Sequence, residues 1–328
     1  MKRRKFVAFV AGAAAVMPIA VRAQQHAPPI IALVSGGAAD RSGNHTDAFR
    51  QGLRDSGFVE DQNVTVEYHW LEGRYSTLPV LMADLVRRQV AVIATPANRP
   101  ATLAAKAATA TIPIVFAVAG DPVELGLVTS LARPGGNPTG INFFGAEVTA
   151  KRLGMLHELV ARAMRFAVLV NPANTSTAAS TLHDVEEAAP TMGLQLKVLN
   201  ASTIGEIDSA LAALAYDHAD ALFVSTDQFF DTQSEQFVAL ARRNGIPAAY
   251  GNRDVVAAGG LMSYGTDFAE TFRQVGAYAG KILGGAKPHD LPVLQATKFE
   301  FVINMKTARE LKIDVPPGVQ SIVDEVIE

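Results

Sequence analysis

Two matching stretches of sequence decide the fold, IIALVSGG at residues 30–37 and FAVLVNPAN at residues 166–174. Each is an unbroken apolar run that ends in small or polar residues. Such runs are typical of strands that are buried on both faces, as in a parallel sheet, and the polar residues after them mark the loop before a helix. The chain is therefore predicted to contain two separate parallel sheets, with one of these strands in each.

The segments that follow the two stretches alternate strands and helices in the same order. Val34 and Val170, which end equivalent strands, are 136 residues apart. Pro113 and Pro247, each in an Ile-Pro pair before a strand, are 134 apart. This near-constant offset predicts an α/β protein of two doubly wound, parallel-sheet lobes, each with helices on both faces of its sheet.

Two predicted elements lie beyond the second copy, a helix at residues 267–283 and a strand at residues 298–303. In two-lobed α/β folds of this kind, the helix completes the first lobe and the strand completes the second. The chain would then cross between the lobes three times, through a three-crossover hinge. The predicted boundaries are residues 28–142 plus 266–288 for the first lobe and residues 143–265 plus 291–328 for the second.

The first 23 residues have the pattern of a signal peptide. Four basic residues at positions 2–5 precede the apolar run at 6–20, and Ala23 stands at the cleavage position. The chain has no cysteine, which excludes disulfides and the cysteine of a lipoprotein anchor. We therefore expect an exported protein, free in the periplasm and monomeric.

Composition and motifs exclude several classes of function. Without residues 1–23 the chain carries 24 basic residues against 32 acidic ones, which argues against a nucleic-acid partner. The seven histidines are not spaced as metal ligands, and no cofactor is expected. A nucleotide-dependent α/β enzyme is one alternative, but G-x-G-x-x-G, G-x-x-x-x-G-K-[ST] and G-x-S-x-G are all absent. An exported small-molecule sensor is another alternative.

Polar residues at the strand ends are the candidate ligand-binding residues. In open parallel sheets, ligands bind at the carboxyl ends of the strands, where helix N-termini and loop amides converge. Two facing lobes would bring both sets of strand ends to one cleft. The candidates in the first lobe are Ser35, Thr95, Asn98, Asp121 and Asn142. Those in the second lobe are Asn171, Asn174, Ser176, Asp227, Asn252, Arg253 and Ser263, with Tyr250 and Tyr264 adjoining.

The charged candidates indicate the chemistry of the ligand. Asp227 is expected to neutralise an amine and Arg253 a carboxylate. Helix N-termini at the same strand ends also favour a carboxylate. The expected ligand is a small organic anion or zwitterion, with an aromatic amino acid as the leading candidate.

Several motifs together resemble one known family, the ABC-transporter solute-binding proteins that include the binding proteins of tryptophan and tyrosine importers. They are GRY at 73–75, TIPIVF at 111–116, GDP at 120–122, LARPGGN at 131–137, NPAN at 171–174, AGGLMSYG at 258–265 and TKFE at 297–300. The resemblance implies a type I periplasmic-binding-protein fold, no catalysis, and delivery of the ligand to an ABC permease in the inner membrane. The ligand loops it implies carry Ser35, Thr95, Asp121, Asn171, Asp227 and Ser263.

Overall fold

The computed structural model describes residues 27–39, 43–143, 146–216 and 219–328. Within these ranges the chain forms two α/β lobes, each built on its own sheet. The predicted signal peptide, residues 1–23, lies outside the described residues. In the part of the chain that is described, no helix is both long and apolar enough to cross a membrane.

Thirteen strands are distributed over the two sheets of the described residues. In chain order they are β1 (Ile30–Ser35), β2 (Thr65–Trp70), β3 (Val92–Thr95), β4 (Ile114–Ala119), β5 (Pro138–Phe143), β6 (Arg165–Val170), β7 (Gln195–Asn200), β8 (Ala221–Val224), β9 (Ala248–Tyr250), β10 (Met262–Thr266), β11 (Leu294–Gln295), β12 (Phe299–Asn304) and β13 (Glu325–Ile327). The first sheet has the order β11-β5-β4-β3-β1-β2, and the second has the order β13-β12-β10-β9-β8-β6-β7.

Twelve α-helices connect the strands in the described ranges. They are α1 (Gly43–Asp55), α2 (Leu78–Arg87), α3 (Arg99–Ala108), α4 (Ala146–Leu159), α5 (Thr175–Ala188), α6 (Ile204–Tyr216), α7 (Gln228–Thr232), α8 (Ser234–Arg243), α9 (Arg253–Ala257), α10 (Phe268–Leu283), α11 (Met305–Glu310) and α12 (Pro317–Gln320). Short 3₁₀ turns occupy Tyr75–Thr77, Ala189–Met192 and Pro288–Asp290.

Both faces of each sheet are covered because the central strands are apolar on both faces. In β1, Ile31 and Leu33 pack in one core with helices α1 and α10, whereas Ala32 and Val34 pack in the opposite core with α2 and α3. In the second lobe, α4 and α5 cover one face of the sheet, and α6 and α8 cover the other. The prediction of two doubly wound α/β lobes is therefore confirmed.

The structure differs from the prediction at the end of the chain. The sequence placed residues 291–328 in the second lobe, but β11 pairs in parallel with β5 of the first sheet. Backbone hydrogen bonds extend this pairing, because Val293 N donates to Leu131 O (2.7 Å) and Ala296 N donates to Asn142 O (2.8 Å). The third crossing therefore follows Ala296. In addition, β12 runs antiparallel to β10, so the second sheet is not wholly parallel.

Two of the three crossings lie side by side. Lys298 Nζ is 2.6 Å from Asp267 Oδ2, and Asp267 N donates to Lys298 O (3.2 Å). Asp267 also caps α10, because its Oδ1 accepts from Glu270 N (2.9 Å). The start of α10 in the first lobe is thus bound to Lys298, the residue that precedes β12 in the second lobe.

Helix α10 lies directly against α1, and glycines allow this close approach. A Cβ atom at Gly276 would lie 2.1 Å from the carbonyl oxygen of Phe49, and one at Gly52 would lie 1.8 Å from that of Arg273. Both distances are far below van der Waals contact with backbone atoms. The late helix α10 therefore completes the first lobe only if both positions lack a side chain.

We expect Gly276→Ala to lower the free energy of unfolding by about 1–3 kcal/mol, because the added methyl group forces α1 and α10 apart. Gly154→Ala in α4 is the matched control, since the nearest atom to its Cβ would be Met192 Sδ at 4.0 Å. That substitution should stabilise the protein by about 0.5–1 kcal/mol through helix propensity. Chemical denaturation measures both values. Equal effects of the two substitutions would contradict the close contact.

Candidate functional site

A cavity of about 340 Å³ lies between the lobes. The first lobe contributes the carboxyl end of β1, the loop after β3 and the end of β4. The second lobe contributes the start of α5, the loops after β8 and β9, and the end of β10. The strand ends of the two sheets therefore meet at one enclosed site, as the repeat predicted.

Gln228, the first residue of α7, lines the cavity and links the two lobes. Its Oε1 accepts a hydrogen bond from Gly36 N, and Ser35 Oγ lies 3.5 Å away. Its Nε2 donates to Pro96 O at 3.3 Å. Gly73 of the first lobe also packs closely against the ring of Phe229. These contacts hold the lobes in a closed arrangement.

Asp227 is the centre of a buried hydrogen-bond network at one end of the cavity. Its Oδ2 accepts from Asn174 Nδ2 (2.7 Å), and its Oδ1 accepts from Asn171 Nδ2 (3.3 Å) and from Phe229 N (2.9 Å). The hydroxyl of Tyr75, from the first lobe, also interacts with this carboxylate. All of these partners are neutral, and no cation lies within 4 Å of Asp227 in the described residues.

Burial raises the pKa of Asp227 above its ordinary value, although the hydrogen bonds from Asn174, Phe229 and Asn171 oppose the shift. A buried carboxylate with neutral partners only is costly, and a cationic group in the cavity would offset that cost. Asn174 Oδ1 is a second acceptor here, since it is buried and has no hydrogen-bond partner in the protein. This end of the cavity is therefore suited to a hydrogen-bond donor that carries a positive charge.

A buried arginine, Arg152, and a second acidic residue, Asp231, lie near Asp227. Arg152 is 1% exposed, donates from Nη1 to Thr226 Oγ1 (2.9 Å), and stacks over the ring of Phe223 at 4.4 Å. Burial lowers the pKa of Arg152 to about 10. Burial also raises the pKa of Asp231 to about 7, and Asp227 adds to this, whereas Asn252 and Arg152 oppose it. Asp231 is only half-buried by area, but its carboxyl lines the enclosed cavity.

Another part of the cavity lining is aromatic. Phe143, Phe268 and Phe272 line it, and their rings pack on one another and on His45. His45 stacks on Phe272 with ring centroids 5.0 Å apart, and Phe143 meets Phe268 edge to face at 5.9 Å. A wall of this kind buries apolar rings and favours aromatic or aliphatic groups of a ligand.

The comparison with known proteins agrees with this geometry. Residues 29–327 match the family described as ABC transporter substrate binding protein. The chain belongs to this family. The match covers nearly all of the chain that follows the predicted signal peptide, and it confirms the resemblance drawn from the sequence motifs.

Relatives of this substrate-binding protein share its fold along most of their length. It is 27% identical over 265 residues to the tyrosine-binding protein of Clostridioides difficile, covering 80% of this chain and 75% of that protein. A conserved domain protein of Vibrio cholerae has a TM-score of 0.81 at 25% identity, covering 91% of this chain and 99% of the other. The ABC domain from Streptococcus pneumonia in complex with L-Trp has a TM-score of 0.80 at 24% identity, covering 92% and 100%. The type I periplasmic-binding-protein fold is thereby confirmed.

Four of the residues predicted from this substrate-binding protein's sequence line the cavity, and a fifth supports it. Ser35, Asn174 and Asp227 are part of the lining. Asn171 lies behind Asp227, to which it donates. Asn252, at the end of β9, also lines the cavity, and its Oδ1 accepts from Asp254 N (3.0 Å) as the cap of α9. These residues are brought together because they lie at or just after the carboxyl ends of strands. Ser35 ends β1 of the first sheet, and the others follow strands of the second sheet.

The other predicted residues of the first lobe do not line the cavity, because their side chains bind within the lobe. The Thr95 hydroxyl is 2.8 Å from that of Thr102. Asn98 caps α3 by accepting from Ala101 N (3.1 Å). Asn142 donates to the carbonyl oxygen of Gly120. Asp121 is exposed, and its Oδ1 accepts from Val123 N (2.7 Å).

In the second lobe, the remaining predicted residues also lie outside the lining. Tyr250 and Ser263 are buried in the lobe, with hydroxyl groups that have no hydrogen-bond partner in the protein. Tyr264 packs between Phe299 and Phe301, under Lys151. Ser176 faces the site only through its carbonyl oxygen. Arg253, expected to meet a carboxylate, is paired instead with Glu300 (3.3 Å) and with Glu325.

Sequence reasoning missed several residues of the lining, among them His45, Tyr75, Arg99, Gln228, Asp231 and Phe268. Most of them lie on helices or 3₁₀ turns one to several residues after a strand end, where the strand pattern no longer places a side chain. Gln228 and Asp231 follow Asp227 in the short helix α7, which the sequence pattern did not reveal. In the described residues, no group of three or more His, Asp and Glu side chains could hold a metal ion.

The pKa of Asp231 leads to a prediction about stability. In the folded protein Asp231 stays protonated up to about pH 7, whereas in the unfolded chain it ionises near 3.8. Protonated Asp231 therefore contributes to the free energy of unfolding fully below about pH 4. This contribution, at most roughly 4 kcal/mol, is lost as the pH rises through 7. Asp231→Asn should therefore raise the melting temperature at about pH 8 and change it little near pH 4.

Thermal unfolding of the native chain and of the variant at both pH values measures this effect. The exposed Asp314→Asn is the matched control and should show no such difference. The same shift of the melting temperature for Asp231→Asn at both pH values would contradict a raised pKa.

Proposed function

We propose that this chain is the periplasmic solute-binding component of an ABC importer. It captures an amino acid with an aromatic side chain between its lobes, as a monomer and without catalysis, and delivers it to a permease in the inner membrane. One observation carries the proposal: the cavity between the lobes has an unneutralised acidic end at Asp227 and an aromatic wall at Phe143, Phe268 and Phe272.

The acidic end accounts for the recognition of an amine. A ligand ammonium group would donate to Asp227 and to the free Asn174 Oδ1, and so would neutralise a charge that the protein itself leaves unpaired. Charge-assisted contacts of this kind contribute on the order of 1.5–3 kcal/mol, or roughly 10- to 150-fold in affinity. This favours an amino acid over a sugar, which has no charge to offer.

The aromatic wall supports an aromatic side chain on the ligand. Offset or edge-to-face contacts with Phe268 and Phe272 stabilise a ligand ring beyond simple burial of its area. A relative at 27% identity is named a tyrosine-binding protein, which agrees with this choice of ligand.

The N-terminus supports the proposed location. Residues 1–23 have the pattern of a signal peptide, which would release the mature chain into the periplasm after cleavage at Ala23. The family supports delivery to a permease, because its description is ABC transporter substrate binding protein.

Isothermal titration calorimetry with L-tyrosine and L-tryptophan tests the proposal. We expect Asp227→Asn to weaken binding of the preferred amino acid by at least about tenfold, because the variant keeps the shape of the side chain and loses its charge. The Asn side chain retains an oxygen for the cap at Phe229 N, so the fold should be unchanged.

Asp121→Asn is the matched control, because Asp121 also follows a strand end but is exposed and lies outside the cavity. It should bind like the native protein. If Asp227→Asn binds the amino acid as tightly as the native protein does, Asp227 does not bind the ligand ammonium group. A folded native protein that binds neither amino acid would contradict the proposed class of ligand.

A further inference from the structure

Arg99 is a charged residue of the cavity with no predicted role. It is the first residue of α3, is 9% exposed and lines the cavity. Its Nη2 donates to Ala119 O (2.7 Å) in the first lobe, and its Nη1 donates to Ser176 O (3.1 Å) in the second. The guanidinium group therefore bridges the two lobes through neutral carbonyl oxygens.

No carboxylate of the described residues forms a direct ion pair with Arg99. No carboxylate oxygen there lies within 4 Å of its nitrogens, and Asp184 acts on it only at longer range. Burial lowers the pKa of Arg99 below its ordinary value. Its Nε is buried and has no hydrogen-bond partner in the protein. A buried cation in this state is destabilising unless an anion occupies the space beside it.

The loop that presents Arg99 is strained. Ala97 has φ of 51°, a left-handed conformation that costs energy for a residue other than glycine, and it lines the cavity. Asn98 then caps α3 by accepting from Ala101 N, so this loop also fixes the start of the helix that carries Arg99. Strain of this kind at a cavity wall suggests that the loop geometry serves ligand binding rather than stability.

We propose that Arg99 binds the carboxylate of the ligand while Asp227 binds its ammonium group, so that the site selects an α-amino acid. Both charged groups have a hydrogen-bond partner at the start of α5, and both line the cavity. Asn174 donates to Asp227, and two residues later Ser176 O accepts from Arg99. A ligand that carries both an ammonium and a carboxylate group can pair with both residues, whereas an amine alone pairs only with Asp227. This inference rests on the proposed function and assigns to Arg99 the role that sequence reasoning gave to Arg253.

The bridging position of Arg99 also couples ligand binding to closure of the lobes. Its guanidinium is anchored from both lobes only when they are closed, so the complete anion site exists only in the closed arrangement. A carboxylate that binds there stabilises closure by the difference in its affinity for the two arrangements.

The test compares each amino acid with the amine that lacks its carboxylate, L-tyrosine with tyramine and L-tryptophan with tryptamine, by calorimetry. The native protein should bind the better amino acid at least about tenfold more tightly than the matching amine. In Arg99→Gln this ratio should fall to within about threefold, with little change in the affinity for the amine. Arg87→Gln, an exposed arginine on α2, should retain the native ratio.

Circular dichroism establishes that each variant is folded. If Arg99→Gln does not fold, Arg99→Lys takes its place, and its ratio should fall below the native one because the planar fork is lost. Equal weakening of amino acid and amine, with the ratio unchanged, would overturn the role of Arg99 and leave the proposed function standing. Absence of binding by the folded native protein would contradict the proposed function and this inference together.

Discussion

The carboxyl ends of the parallel strands of the two sheets face each other, and the polar features of the cavity depend on this arrangement. A strand that is apolar on both faces must be covered on both faces, so polar side chains appear only where the strand ends. The change from apolar to polar side chains occurs at Ser35 in β1, at Asn171 after β6 and at Ser225 after β8. Ser225 precedes Asp227 by two residues. The two lobes thus enclose the ends of strands whose own residues form the cores.

Enclosure has an electrostatic cost that no direct ion pair offsets at Asp227 or Arg99 in the described residues. Asp227 and Arg99 both lie in the closed cavity with neutral partners, and burial shifts the pKa of each toward its uncharged form. This cost makes the site selective. A ligand with both complementary charges pairs with Asp227 and Arg99, whereas a neutral solute of equal size leaves both residues unpaired. The contacts of Gln228 close the site around the ligand, and the hinge pair of Asp267 and Lys298 lies at the crossings between the lobes.

Much of the fold could be predicted from the sequence because its strands are long apolar runs with regular punctuation. The helix predicted at residues 267–283 is present as α10, whereas the two-residue strand β11 was not predicted, since its two exposed residues carry no pattern. In the site, Asp227 was predicted because it follows a strand end. Arg99 was not assigned a role, since its partners are the carbonyl oxygens of Ala119 and Ser176, and backbone partners leave no trace in a sequence.

Small-angle X-ray scattering of the mature protein, with and without the amino acid that binds it most tightly, measures whether the lobes close around the ligand. The radius of gyration should decrease on saturation to the value calculated for the closed arrangement, in which Gln228 contacts Gly36 and Pro96. A radius of gyration that is the same with and without a saturating ligand, and larger than that value, would show that binding does not require the enclosed cavity.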